Sequence, residues 1–501
     1  MSTGAFGSFF DIQSAPPPAA VYKQTHGTPA PTPLELDDYN WGDRYNGPRS
    51  GMQTPHGEPQ TPMSPITPKS PNELEMSRPP SPKRDEAASL VQTFWNPSMN
   101  KWRVLSCCLT YFGNGMSDSA PGALIPYMEA DYRIGYAVVS MIFVGNAVGF
   151  IVAAFFASWF LNKLGRAKTL VLSELFLIAG NVIIVTTPPF PVVVIAFFLL
   201  GYGAAINLAL NNVFCANLQP SSVILGAAHG SYGIGGIVAP IIATTLVTHG
   251  QVWSRFYFVV LGIRVLCLAF AAFSFWHYEE EASARLLSAL EQTASRQIAA
   301  EAGDPTKTQL MKQALKNRVT LIGAFFIFAY QGAEVSVSGW VISFLISYRG
   351  GDPARVGYVT SGFWGGITVG RFVLTHAAPR IGERPFVVAL TLGSIALQLL
   401  VWLVPNVIGE AVAVGILGLL VGPIYPCGQT VFARLLPRDL QTTSVAFMSS
   451  AGSSGGAVAP LMTGLVAQAA GTYVLNPICI GLYVVMIVCW MLLPKERKRT
   501  E

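Results

Sequence analysis

Charge is what this chain of 501 residues has least of: 12% of its positions are Asp, Glu, Lys or Arg, against 51% that are apolar. So few charges cannot cover a water-soluble globular surface, and the apolar excess places the chain in a bilayer. The seven cysteines (Cys107, Cys108, Cys215, Cys267, Cys427, Cys479 and Cys489) all fall inside apolar segments. That excludes a disulfide framework or a zinc spacing, and they read as small core residues. His229 and His376 have no metal-ligand companion at usable spacing, so no metal or cofactor is expected. The glycines of GSYGIGG and SSAGSSGG follow no strand and are not phosphate loops. No His/Cys/Ser/Asp constellation survives inspection, which excludes an embedded enzyme as the reading. A net charge of +5 does not point to nucleic acid, because the basic residues are sorted by membrane side and not gathered in a patch. The opening MSTGAFGSFFDIQSAPPP lacks a basic start, a long apolar run and a cleavage site, so no cleaved signal peptide and a cytoplasmic N-terminus are expected.

What the chain does have is sorted along its length. Residues 1–98 hold 17 of the 35 prolines and few periodic apolar positions, which predicts a disordered cytoplasmic tail. Its repeated Ser/Thr-Pro steps suit proline-directed kinases as partners, with an unregulated spacer as the other reading. From Val104 onward, apolar runs of roughly 18 to 25 residues, enough to cross ~30 Å of hydrocarbon, recur twelve times. Their spans are 104–127, 136–160, 169–187, 192–216, 223–247, 253–276, 319–346, 357–377, 385–404, 407–432, 442–467 and 473–493. The expected organisation is a six-helix bundle over 101–277, a partly helical cytoplasmic linker over 278–316, a second six-helix bundle over 317–493 and a basic cytoplasmic tail over 494–501. With the N-terminus inside, the inner segments carry 19 Lys and Arg, whereas the outer loops carry Arg133, Arg255, Arg349 and Arg355. That asymmetry predicts two cytoplasmic termini. The absence of an Asn-x-Ser/Thr acceptor leaves glycosylation silent on this point.

The two halves repeat each other. GGIVAP (Gly235 to Pro240) returns as GGAVAP (Gly455 to Pro460), and Gly115-x6-Gly122 returns as Gly332-x6-Gly339. A parallel duplication of this kind implies pseudo-symmetric halves that alternate access about a midplane site. The fold expected is therefore all-α and integral to the membrane, with twelve transmembrane helices in two pseudo-symmetric six-helix bundles.

On these features the chain resembles the major facilitator superfamily over roughly Lys101 to Arg499. The loop NKLGRAK after the second span is similar to the family's acidic-basic-x-Gly-Arg-x-basic signature, and PRIGER after the eighth is a weaker copy. The resemblance implies gating roles for Asn162, Lys163, Gly165, Arg166, Arg380 and Gly382. The usual acid is replaced by Asn162 in the first copy and Pro379 in the second, which weakens and then removes the family's charge-to-helix-terminus contact. Asp118-x3-Gly122-x-Leu124-x-Pro126, Gly332-x-Glu334-x4-Gly339-Trp340 and Trp364-Gly365-x4-Gly370-Arg371 look like the fucose/glucose:proton symporter branch and its fungal relatives. That branch implies a sugar-like substrate and proton coupling. Its bacterial members use an acid in helix 4, where this chain has Asn207, Asn211 and Asn212.

A charge at the bilayer centre costs a few kcal/mol, so each buried ionisable group needs a reason. Asp118 and Glu334 reach similar depth, about 21 Å from the inner ends of the repeat-related helices 1 and 7. A poorly solvated cavity disfavours a bare carboxylate, so we expect one of the two to carry the coupling proton and the other to orient substrate. The alternative is that each acid locks a helix break by bonding freed backbone. Asn114, Asn207, Asn211, Gln331 and Gln429 are candidate substrate contacts, with Trp340 or Trp364 stacking on the ligand. Asn and Gln also glue membrane helices. Glu174 and Arg264 read as a structural ion pair, and Glu410 as an exposed cap at the outer end of helix 10. The function expected is secondary active transport of a small polar organic solute, the sugar class being the one the resemblance implies, by alternating access with protons as partner. An exporter of a metabolite or drug and a non-transporting nutrient sensor remain the alternatives. The plasma membrane is the default location, with vacuole or another organelle open.

Overall fold

The computed structural model of the protein describes residues 92–281 and 307–494. The readings made for 1–91, for most of the 278–316 linker and for the basic tail lie outside the described residues, apart from a short helix Lys307–Lys316. The rest is helical, with one isolated bridge, Thr93 to Gln219. The first half comprises α1 (Asn100–Tyr132), then a short turn of helix and the long segment Met141–Val185. That segment is two helices joined at Gly165, whose φ of 78° is not helical; the part before it is α2 and the part after it α3. Next come α4 (Phe190–Ala216), α5 (Ser221–Thr248) and α6 (Phe256–Phe275). The second half comprises α7 (Arg318–Ser347), α8 (Val359–Val373), α9 (Glu383–Leu403), α10 (Val407–Val421, resumed after Gly422-Pro423 as Ile424–Leu435), α11 (Arg438–Ala470) and α12 (Leu475–Leu492). Local chemistry sets the ends: Asn317 accepts from Val319 N and Thr320 N to start α7, and Asn406 accepts from Gly409 N to start α10.

Nine segments among the described residues are long and apolar enough to cross a membrane. The three of the twelve expected spans that fall short are α1, α8 and α11. Their shortfall has a physical cause. The regular part of α8 is only 15 residues, giving way to a tighter turn over Leu374–Ala377, while α1 and α11 carry Gly, Ser and other polar positions that face protein and a cavity, where polar groups cost less than against lipid.

The sequence repeat is a repeat of close contacts. A β-carbon on Gly115 of α1 would lie 2.0 Å from Tyr232 O on α5, and one on Gly235 of α5 would lie 2.1 Å from Phe112 O. In the second half a β-carbon on Gly455 of α11 would lie 2.0 Å from Phe328 O on α7. The pair α2/α4 closes at Gly149 and Gly201, and its counterpart α8/α10 at Gly370 and Gly418, each against a backbone carbonyl within 2.2 Å of the would-be methyl. Small residues thus set each half's geometry by letting backbones meet.

One such contact joins the halves instead. A β-carbon on Gly122 of α1 would lie 2.0 Å from Ser338 O on α7. Gly115→Ala is therefore expected to destabilise the first half by about 1–3 kcal/mol of overpacking. Gly122→Ala should instead leave both halves folded and disfavour the arrangement in which they meet here. Spin labels at two exposed positions on opposite halves, Val138→Cys before α2 and Leu403→Cys at the end of α9, check this. Gly122→Ala should lengthen their separation while the melting temperature holds.

Glu410 departs from its sequence reading as an exposed cap. It is fully buried, and Arg349 Nε, from the end of α7, sits 2.6 Å from its Oε1. Arg349 also donates to Val401 O and Trp402 O, so it ties the ends of α7 and α9 to the start of α10. An arginine in a loop satisfying carbonyls at a helix end draws the acid inward with it.

Candidate functional site

A cavity of about 650 Å³ lies between the halves, walled by α1, α2, α4 and α5 on one side and α7, α8, α10 and α11 on the other. It runs toward the end of the molecule at which α1 and α7 begin, reaching Ala216, Leu225 and Val445. At the far end the halves meet. Besides Gly122 against Ser338, Trp340 of α7 sets its ring edge-on to Tyr136 at 5.9 Å, and Tyr136 OH donates to Ser347 Oγ at 3.0 Å.

Six of the residues singled out from sequence line this cavity: Asn114, Asp118, Gln331, Glu334, Trp364 and Gln429. Asp118, half-buried on α1, accepts a 2.8 Å hydrogen bond from Tyr232 OH of α5. Glu334 on α7 is nine-tenths buried and faces Arg371 of α8, with Oε2 to Nη2 at 3.5 Å; the same Nη2 is 3.5 Å from Tyr330 OH. The two acids thus differ in company. Glu334 has a cation beside it, whereas Asp118 is held by a neutral phenol. Gln429 is buried, and neither its Nε2 nor its Oε1 has a protein partner, so both are free for a ligand.

Glu174 and Arg264 sit 3.7 Å apart, both essentially without solvent exposure, but they are not alone. Arg264 donates to Asn114 Oδ1 at 2.8 Å and Ser117 Oγ at 3.1 Å; Asn114 Nδ2 donates to Asn207 Oδ1 at 3.0 Å; Asn207 Nδ2 donates to Glu174 Oε1 at 3.2 Å. Arginine can only donate and a carboxylate can only accept, so both amides have one possible orientation. The result is a closed ring through α1, α4, α3 and α6. Gly113 leaves room for it, since a β-carbon there would meet Arg264 Cζ at 3.2 Å.

The other singled-out residues lie elsewhere. Asn207 is in the ring, not on the cavity wall, and Asn211 is buried beside it in sequence, while the wall position is its neighbour Asn212, bonded to Tyr111 OH. Trp340 is buried at the far-end seam, with Nε1 donating to Pro460 O at 2.9 Å. That bond satisfies the carbonyl of Pro460, the proline of GGAVAP. In the first gating loop Asn162 and Lys163 are exposed, Gly165 makes the break, and Arg166 is buried, donating to Leu210 O at 2.7 Å. Glu279, just past α6, accepts from Arg166 N. A carboxylate from another helix therefore caps α3 where the loop's own acid is missing. In the second loop Arg380 is exposed and Gly382, with φ 96°, makes the corresponding break.

Sequence reasoning named Arg371, Asn212 and His229 without giving any of them a role in the site, and passed over Tyr232; all four are on the cavity wall. Arg371 had a usable signal, an arginine inside an apolar span. Tyr232 had a weaker one, its place between the glycines of GSYGIGG.

Repeated bundles of membrane helices around a shared cavity, mostly apolar with a few polar and charged groups on its wall, have the architecture of a membrane transporter. The chain belongs to the Major Facilitator Superfamily, whose family model matches residues 107–350 and 332–501. It is 27% identical over 421 residues to "Bypass of stop codon protein 6" of Saccharomyces cerevisiae, covering 80% of this chain and 84% of that protein. It is 21% identical over 357 residues to the glucose/mannose transporter GlcP of Bacillus subtilis, covering 71% and 85%. A glucose/galactose transporter of Brucella abortus matches at 29% over 178 residues, 34% of this chain and 42% of that protein.

Proposed function

We propose that the protein is a proton-coupled secondary carrier for a small, uncharged, polyhydroxylated solute of the hexose class, working by alternating access. The observation that carries this is the charge inventory of the cavity. Glu334 and Arg371 offset each other at 3.5 Å, which leaves Asp118 as the one wall carboxylate without a cation at ion-pair distance among the described residues. Among the described residues no unpaired arginine or lysine lines the wall to hold an anionic solute, while the amides of Gln331 and Gln429 and the hydroxyls around them suit hydroxyl groups. Two relatives, named as transporters of glucose with mannose or galactose, support the same class.

Within this reading Asp118 carries the coupling proton, and Glu334, held by Arg371, orients the solute together with Gln331 and Gln429. With both termini cytoplasmic, as the Lys/Arg distribution supports, the sealed end is the outer face and the cavity opens inward. The plasma membrane is the default location, and the Ser/Thr-Pro tail is the surface offered to proline-directed kinases.

The test is uptake of radiolabelled D-glucose, D-mannose and D-galactose into proteoliposomes, with and without an inward proton gradient. At least one of the three should accumulate only when the gradient is imposed. Equal uptake with and without it would remove the coupling, and no uptake of any would remove the substrate class.

A further inference from the structure

The proton site and the seam between the halves are joined by a short run of contacts. Asp118 and Gly122 are four apart on α1, hence on one face of it; Glu334 and Ser338 are four apart on α7. Ser338 meets α1 through its carbonyl at Gly122 and α8 through its hydroxyl, which accepts from Trp364 Nε1 at 2.8 Å. The indole of Trp364 lies against α5, its centroid 5.9 Å from the ring of Tyr232, in space left by Gly236, where a β-carbon would meet the indole at 3.1 Å. Tyr232 OH then donates to Asp118 at 2.8 Å. The circuit runs Asp118, Tyr232, Trp364, Ser338, Gly122 and back along one turn of α1, crossing between the halves twice.

We propose that Tyr232 is a positioning residue that couples the protonation of Asp118 to the seam between the halves, acting through Trp364 and Ser338. It rests on the reading of Asp118 as the proton site. An ionised Asp118 accepts from Tyr232 OH by a charge-assisted bond that fixes the phenol, and so the indole and its hold on Ser338. A protonated Asp118 accepts more weakly, the phenol loosens, and the indole is freed with it. The other ionisable groups on these walls are Glu334 on α7, Arg371 on α8, His229 on α5, and Tyr111, Tyr330 and Tyr425, with Arg264 approaching Asp118 from α6. Glu334, Arg371 and Arg264 already have charged partners at 3.5 to 3.7 Å.

The experiment follows the Val138→Cys/Leu403→Cys spin-label distance in the purified full chain as pH is varied, with no solute added. In the wild type the distance distribution should shift with pH. Tyr232→Phe keeps the ring and loses one hydrogen bond to a charged group, so the open-to-closed ratio should lose its pH dependence by about tenfold. Ser338→Ala should do the same, and the double variant should be no worse than either. Asp118→Asn separates the two claims. If Asp118→Asn is pH-insensitive and Tyr232→Phe titrates like wild type, the coupling role is overturned and the proton site stands. If Asp118→Asn titrates like wild type, the proton site falls and the coupling role with it. A wild-type response in Ser338→Ala overturns the route through Trp364. A merely structural tyrosine would lower the melting temperature and leave the pH profile in place.

Discussion

Glu174→Gln is expected to lower the melting temperature of the detergent-solubilised protein by on the order of 10 °C, from a loss of about 3–5 kcal/mol. Glu174 is the only full negative charge in the ring Arg264, Asn114, Asn207, Glu174, and all four side chains have 1% exposure or less. Glutamine would leave Arg264 buried without a counter-charge, which is the costly way to break such a pair. It would also present an amide to Asn207 Nδ2, itself a donor, and the fixed orientation of the ring would be lost. Glu174→Leu combined with Arg264→Leu removes both charges, and it should recover most of the melting temperature. Asn207→Ala removes one link without stranding a charge and should cost less, about 1–3 kcal/mol. The ordering single charge, then amide, then double replacement is the signature of a closed ring. If Glu174→Gln melts with the wild type, the ring contributes nothing and the 3.7 Å approach is incidental.

Which parts of this molecule could be read from its sequence follows from what periodicity and composition encode. An apolar run of membrane length announces a helix wherever it stands, so α4, α6 and α12 were legible in outline. The duplication was legible because a carbonyl within 2.2 Å of a would-be β-carbon tolerates only glycine, as at Gly115, Gly235 and Gly455, and Gly332, whose β-carbon would meet Ala459 Cβ at 2.9 Å, marks the looser fourth member of the same joints. Rotation about a helix axis was not legible. Asn211 and Asn212 are adjacent and chemically identical, yet one is enclosed and the other lines the cavity, a difference of 100° that no local pattern records. Trp340 was open to the same ambiguity: an indole beside a membrane helix can stack on a ligand or fill a seam, and the choice depends on Gly464 across the interface, 124 positions away. Arg371 and Glu334 are on different helices, so their pairing is a tertiary fact. Glu410 misled because its exposure depended on Arg349, an outer-loop arginine that turns inward to the ends of α7, α9 and α10.

Asp118→Asn carries the second large expectation, complete loss of accumulation with exchange retained. An inward gradient of one pH unit can concentrate a solute carried with one proton by about tenfold, since 1.4 kcal/mol is a factor of ten. Accumulation requires that the loaded carrier cross with its acid neutral, release solute and proton inside, and return empty with the acid deprotonated, while a solute-loaded carrier with a charged acid is restrained. Asparagine is neutral at every pH and keeps an oxygen that accepts from Tyr232 OH as weakly as the protonated acid does, so each half stays folded and only the restraint at the seam is lost. The variant should then equilibrate solute in either direction and reach an internal concentration equal to the external one, whatever gradient is imposed. Wild-type uptake should rise as external pH falls, and the variant's should be flat. Glu334→Gln behaves differently, because it strands Arg371 in the cavity without its counter-charge. It should reduce exchange and accumulation together, with a raised KM. Reversed phenotypes, with Glu334→Gln exchanging freely and Asp118→Asn losing all transport, would move the proton to Glu334 and make Asp118 the solute contact.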